Sequence, residues 1–380
     1  MILFYCFLIS LLLVLFIMPI YIKLMLKYEI FDIPGGRKIH KNKKNNLGGV
    51  VIFFGFLISY IFALPSITRG VSIELALYYI NVILCIVIVG IMDDLNPLRA
   101  RNKLLIEVAF ILFFCKMGLR LDNFYGFLGF YETSIWFSYI GTIFFYIVVI
   151  NTFNLIDGID GQASVIALAV FIPILIFFSF LVPDGYCKNC FGNVFFWSAV
   201  CVSIIGAILG FLHFNWEPSR IFMGDTGSLS IGMILASVMI AAIQYNGSYG
   251  SDINILGFEI KSKIGVIVLL FFIPLADTLR VFCARIKKGK FPFNPDKSHI
   301  HHLLIRTGAS HQTSTLITLI SSVFISIIGI ILSTIFTDNI FIPLMIVLFI
   351  LYFRAIIYFT KFRIKGMNKK RICHTLHNEN

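Results

Sequence analysis

Asn151-Thr-Phe-Asn-Leu-Ile-Asp-Gly-Ile-Asp-Gly-Gln162 sets two aspartates, two asparagines and two glycines between long apolar runs at residues 136–150 and 163–182. A plain loop between membrane helices more often carries Lys or Arg. Asn154, Asp157 and Asp160 are spaced by three, so on a helical turn successive members share a side. Gly158 and Gly161 permit a tight backbone and close approach of a ligand. Hard oxygen donors of this kind suit Mg²⁺ rather than zinc. A helix-capping Asx loop is the alternative on these residues alone.

Outward from this stretch the chain is 59% hydrophobic and only 13% charged, where a soluble domain carries about 25% charged residues. Apolar runs near membrane-spanning length recur throughout, so the fold class expected is an all-α polytopic membrane protein. Eleven spans are expected, at about 3–22, 48–64, 75–92, 103–119, 135–151, 162–182, 193–213, 227–244, 263–281, 313–336 and 340–359. One integral membrane domain covers 1–360, followed by a basic tail over 361–380. The first run has no cleavage site after it and reads as a retained helix. With that helix running inward, the inner connections and their rims hold 24 of the 31 Lys and Arg residues. This asymmetry places the amino terminus outside and the carboxyl terminus in the cytoplasm. The net charge of +12 lies in short loops, which fits lipid headgroups and not nucleic acid. Eight scattered cysteines make no disulfide framework; Cys187 and Cys190 leave a local disulfide open.

On that topology the acids gather at the inner face. Asp93 and Asp94 close the third span, and Pro97, Arg99 and Lys103 follow. Carboxylates beside cations suit a metal-bound phosphate, whereas a charged cap at the interface is the plainer alternative. Arg220-Ile-Phe-Met-Gly-Asp-Thr-Gly-Ser228 forms a polar turn before an apolar helix, whose start can face an anion. Asp225 is its candidate metal ligand, and Phe222 could stack on a base. In Pro292-Phe-Asn-Pro-Asp-Lys-Ser-His-Ile-His-His302, His299, His301 and His302 could donate to a pyrophosphate, or simply be solvated. Asp32-Ile-Pro-Gly-Gly-Arg-Lys-Ile-His40 through Gly48-Gly49 is a basic inner loop that could also touch phosphate. There is no Ser-His-Asp or Cys-His nucleophile pattern, Walker loop or dinucleotide fingerprint.

Asp93-Asp94 with Lys103, Asn154-Leu-Ile-Asp-Gly-Ile-Asp-Gly161, Phe222-Met-Gly-Asp-Thr-Gly-Ser228 and His299-Ile-His-His302, in this order, resemble the polyprenyl-phosphate N-acetylhexosamine-1-phosphate transferases of glycosyltransferase family 4. The likeness runs from about Asp32 to His311. It implies transfer of a sugar 1-phosphate from a UDP-sugar to polyprenyl phosphate at the inner membrane, with release of UMP and a need for Mg²⁺ or Mn²⁺. By the same resemblance, Asp225 is the implied principal metal ligand with Asn154 nearby. Asp93 receives or orients the lipid phosphate, Asp94 supports it, and Lys103 holds phosphate oxygens. Asp157 and Asp160 border the uridine, and Phe222 stacks on uracil. His299, His301 and His302, with Arg306, cover the pyrophosphate and help select the sugar.

His-Ile-His-His, eleven spans and Arg37-Lys-Ile-His40 fit the branch using UDP-N-acetylglucosamine or related amino sugars; the muramoyl-pentapeptide branch is the alternative. One departure is that Lys43, Lys44, Asn45 and Asn46 stand where prolines often precede the paired glycine. Phosphoryl transfer needs positioning and charge neutralisation more than covalent chemistry. Direct attack by the lipid phosphate on the β-phosphorus is expected, with a covalent aspartyl-phosphate on Asp225 or Asp93 as the other route. A homodimer is compatible with the sequence. The polymer served, such as O antigen, teichoic acid linkage units or capsule, stays open. An ion-coupled transporter is the rival class, against which stand the absence of repeated halves and the placing of acids at helix ends.

Overall fold

A chain this apolar crosses a bilayer as helices that satisfy their own backbone groups, and helices dominate the structure. It is a computed structural model and describes residues 1–28, 45–181, 194–245, 254–255, 258–287, 289 and 299–378. The helices are α1 (Ile2–Lys27), α2 (Gly48–Ile67), α3 (Ile73–Leu95), α4 (Ala100–Lys116), α5 (Ile135–Ile156), α6 (Gln162–Ile176) and α7 (Val194–Asn215). They continue with α8 (Gly224–Gln244), α9 (Lys263–Leu270), α10 (Phe272–Ile286), α11 (Ile300–Arg306), α12 (His311–Ser333) and α13 (Asp338–Asn378). Two antiparallel hairpins interrupt them: β1 (Asn123–Phe127) with β2 (Phe130–Glu132), and β3 (Asn254–Ile255) with β4 (Phe258–Glu259).

Among the described residues nine helices are long and apolar enough to cross a membrane, and the bent pair α9–α10 makes a tenth. This is an all-α polytopic membrane protein. Each of the eleven expected segments overlaps a helix. The remaining one, α4, has 17 residues, about 25 Å at 1.5 Å per residue, the short limit for spanning. The 263–281 segment corrects the expectation of one continuous span: α9 and α10 meet at an 82° bend. Pro274 lies in the first turn of α10, where its missing N–H costs no helical bond. The segment expected as a separate basic tail continues the backbone of α13 as far as Asn378.

α8 is the axis of the bundle. Every residue from Thr226 to Gln244 is buried, mostly apolar side chains, with Ser230 and Ser237 donating to carbonyls one turn back in the helix. α2, α3 and α5 pack around it, and α1 lies along α7. That last contact is close because α7 presents glycines: a Cβ at Gly206 would sit 2.1 Å from Ser10 Oγ. Phe4, Leu12 and Phe16 of α1, Phe324 and Ile327 of α12, and Val347 and Leu351 of α13 face outward, the surface expected toward lipid tails. At one end of the bundle the carboxyl ends of α3, α5, α7 and α10 meet the starts of α4, α6, α8, α11 and α12. The β1–β2 hairpin lies at the other end.

Candidate active site

The start of α8 is built by close approach. Gly224 has φ +72°, and a Cβ there would lie 1.6 Å from the Asn46 carbonyl oxygen. A Cβ at Gly49 would meet Gly227 N at 2.1 Å, and one at Gly90 would meet Thr226 Cα at 2.4 Å. Only bare backbone lets α2 and α3 press on this turn. Gly48 N and Gly49 N donate to the carbonyls of Phe222 (3.0 Å) and Met223 (2.9 Å). The two asparagines that replace prolines also take part. Asn45 Oδ1 accepts from Leu47 N at 2.7 Å, and Asn46 Nδ2 reaches Asp94 Oδ1 at 3.3 Å.

Asp94 caps α8 from a different helix. Its Oδ1 accepts from Asp225 N (2.9 Å), and its Oδ2 accepts from Thr226 N (2.8 Å) and Thr226 Oγ1 (2.6 Å). A helix start leaves such N–H groups without intrahelical partners, and a carboxylate there also meets the positive end of the dipole. The second aspartate of the pair therefore fixes the turn that presents Asp225.

Lys103 joins the first aspartate to Asp225. Its Nζ lies 2.8 Å from Asp93 Oδ2 and 2.9 Å from Asp225 Oδ1. Asp93 also accepts Leu98 N at 2.7 Å, which folds the α3–α4 turn back onto it. Asp225 is 31% exposed and Asp93 only 6%, so Asp225 is the carboxylate a solute reaches first. Asn154 Nδ2 donates to Asp225 Oδ1 and, at 2.8 Å, to Ser228 Oγ. One helical turn beyond Lys103, buried Glu107 accepts from Asn151 Nδ2 at 3.0 Å, and its other oxygen has no hydrogen-bond partner among the described residues. The sequence did not single out Glu107, and no spacing in it pairs Glu107 with Asn151, 44 residues on.

The opening stretch divides by direction. Asp157 is partly buried at the end of α5. Burial first, then the charges of Asp225 and Asp94, hold its carboxyl well above the usual range, and the Gly224 backbone N–H opposes them. Next to it, a Cβ on Gly158 would stand 3.0 Å from His301 Nε2, so the bare glycine lets α11 close onto this turn. Asp160 points elsewhere: Oδ2 accepts Ser219 N at 3.1 Å, and Oδ1 lies 3.8 Å from His311 Nδ1. Asn215 adds a brace, accepting from Gly161 N and donating to the Ile221 carbonyl. Phe222 is partly buried, and both of its backbone groups bond to the Asn45–Gly48 segment.

One of the three histidines, His299, is held by a residue that carries no motif in the sequence. Asp277 of α10 accepts His299 Nδ1 (2.9 Å) and Ile300 N (3.0 Å) on Oδ2, and Arg280 on Oδ1 at 2.7 Å. His299 and His301 stack with parallel rings, 5.8 Å apart. Burial, then His302 and His299, lower the His301 pKa to about 3 from 6.5, so this ring is neutral. His302 is partly buried, and Arg306 is exposed at the end of α11. The basic loop with Arg37 and His40, the Cys187–Cys190 pair and residues 290–298 lie outside the described residues.

No group of three or more His, Cys, Asp and Glu side chains arranged for a metal occurs among the described residues. The donor type still fits a hard cation, because two carboxylate oxygens, from Asp93 and Asp225, already flank one positive centre at Lys103.

The sequence profile of glycosyl transferase family 4 matches residues 76–243. The chain is 31% identical over 353 residues to the probable undecaprenyl-phosphate N-acetylglucosaminyl 1-phosphate transferase of Bacillus subtilis (strain 168), covering 92% of this chain and 90% of that one. The protein belongs to this family. Among other relatives, the decaprenyl-phosphate N-acetylglucosaminephosphotransferase of Mycobacterium leprae is 29% identical over 77% of this chain and 74% of its own length. The undecaprenyl-phosphate alpha-N-acetylglucosaminyl 1-phosphate transferase of Escherichia coli (strain K12) is 28% identical over 80% of this chain and 77% of its own. The family 4 match takes in Asp93, Asp94, Lys103, Asn154, Asp157, Asp160 and Asp225, while Asp277 and the histidines lie beyond it.

Proposed function

We propose that this protein transfers a sugar 1-phosphate, N-acetylglucosamine 1-phosphate first among the candidates, from a UDP-sugar to polyprenyl phosphate. The observation that carries the reading is the Lys103 ammonium held between Asp93 and Asp225 at one end of a membrane bundle. Relatives covering most of the chain bear names of this activity. The Lys and Arg asymmetry supports placing that end at the cytoplasmic face of the inner membrane. There a lipid phosphate sits at headgroup depth and a nucleotide arrives from water.

An oxygen of the lipid phosphate attacks the β-phosphorus, and the bond from that phosphorus to the bridging oxygen breaks. UMP leaves with that oxygen, and a lipid-linked sugar diphosphate remains. Asp93 orients the acceptor phosphate and takes its proton when the acceptor arrives as a monoanion. Lys103 neutralises phosphate oxygens between the two carboxylates, an electrostatic role that phosphoryl transfer rewards. Asp94 and Asn154 hold Asp225 in place. Asp225, with Asn154 beside it, would hold Mg²⁺, which supplies charge neutralisation to the phosphates when bound. Asp157 and Gly158 carry the nucleotide side of the cleft toward His301. The bend between α9 and α10 is a feature that transporters also show, but Asp93, Asp94, Asp157 and Asp225 lie at the ends of α3, α5 and α8, away from that bend.

The test offers purified protein a panel of UDP-sugars with polyprenyl phosphate and Mg²⁺ and follows lipid-linked product. UDP-N-acetylglucosamine is expected to give the product; no product from any sugar would refute the reading.

A further inference from the structure

Asp277 is 3% exposed, and its oxygens receive hydrogen bonds from three directions: the His299 ring, the Ile300 backbone and the Arg280 guanidinium. Arg280 is itself held, stacked 5.0 Å over the ring of Phe353. A carboxylate accepts only, so the contact at Nδ1 requires that nitrogen to carry the proton. The tautomer and the plane of His299 are thereby set from α10. Its other nitrogen, Nε2, is buried and has no partner among the described residues, and the same is true of His301 Nδ1. Buried ring nitrogens without partners mark a place where something else binds. The place adjoins the reaction centre: a Cβ on Gly158 would stand 3.0 Å from His301 Nε2, and Gly158 follows Asp157, whose carboxyl feels the charges of Asp225 and Asp94.

We propose that Asp277 is a positioning residue: backed by Arg280, it holds His299 so that Nε2 donates to the terminal phosphate of a nucleoside diphosphate. This rests on the nucleotide-sugar reading above. With Asp277 at Nδ1 and phosphate at Nε2, the ring lies between two anions, where both nitrogens act as donors. Asp277 touches no substrate and acts through His299.

A double-mutant cycle on the full chain in nanodiscs tests this, with UDP plus Mg²⁺ as the probe and calorimetry as the readout. Asp277→Asn and His299→Ala each weaken UDP binding about tenfold or more. The double variant binds no more weakly than His299→Ala, because the first residue works through the second. Asp277→Glu keeps the charge and recovers part of the affinity. Binding by Asp277→Asn equal to that of the unaltered protein, or losses that add in full, would overturn the proposal, since a brace between α10 and α11 would behave that way. Should Asp277→Asn fail to fold, the same cycle with Asp277→Glu decides by the same coupling. A protein that shows this coupling but moves no sugar phosphate would sink the transfer reading and leave the Asp277 assignment standing. A chain that does not bind UDP overturns both.

Discussion

The two ends of the bundle each hold acids, bases and amides, and they use them differently. At the hairpin end, Asp122 Oδ1 accepts Arg120 Nε at 2.7 Å and Ser138 Oγ at 2.7 Å. Gln244 closes the network, accepting Asp122 N and Asn123 N at 3.1 Å each and donating to the Asn123 carbonyl at 2.9 Å. Donors and acceptors there satisfy one another, and the result is a corner that ties α8 to the β1–β2 hairpin. At the other end two carboxylates share one ammonium, and Glu107, His299 and His301 each keep a buried atom with no hydrogen-bond partner among the described residues. A saturated polar network holds structure, whereas an unsaturated one waits for a ligand.

The sharpest way to break this contrast is Asp225→Ala. Transfer should fall on the order of a thousandfold, as for loss of a principal electrostatic contact, while thermal unfolding in detergent moves little. Near-normal turnover at limiting Mg²⁺ would remove Asp225 from the site. Lys103→Met should cost about a hundredfold in rate. Lys103→Arg should not restore it, because a planar fork does not replace a point charge between two carboxylates; full recovery would show that charge alone suffices. Gly224→Ala puts a methyl group onto the Asn46 carbonyl at positive φ, so both stability and rate should drop, by about 1–3 kcal/mol in the former.

The saturated end should respond in the opposite sense. Gln244→Ala leaves two N–H groups and a carbonyl unpaired, at about 1–3 kcal/mol of stability, with kcat of the folded fraction unchanged. A lower kcat at equal folding would couple the two ends. An effect of similar size on stability, absent at neutral pH, is the pH response of His301. Its folded pKa is depressed from 6.5 to about 3, so the unfolded chain binds the extra proton. Its contribution is intact above about pH 6.5 and is lost progressively as pH falls toward 3, by about 2 kcal/mol at pH 5. Denaturation midpoints at pH 8 and pH 5 should therefore converge in His301→Gln.

Much of this was legible because the chemistry was local. Asp93, Lys103, Asn154 and Asp225 sit in short polar runs that an apolar chain does not otherwise tolerate. Alternating helix direction brings those runs to one end. The division of labour within them was less legible: Asp94 and Asp160 differ from Asp93 and Asp157 only in what lies across the bundle from each. Asp277 gave no signal, being one acid inside an apolar run, 22 residues from the histidine it holds. The bend between α9 and α10 was hidden for a similar reason, since a continuous apolar run reads the same whether straight or broken.

The central claim, that the unsaturated end is a phosphoryl-transfer site, is tested most directly by UMP release from purified protein. UDP-N-acetylglucosamine is supplied with polyprenyl phosphate, with Mg²⁺, with both, or with neither. UMP should appear only when both are present, in step with lipid-linked sugar diphosphate. Equal release without the lipid phosphate, or no release under any condition, would contradict it.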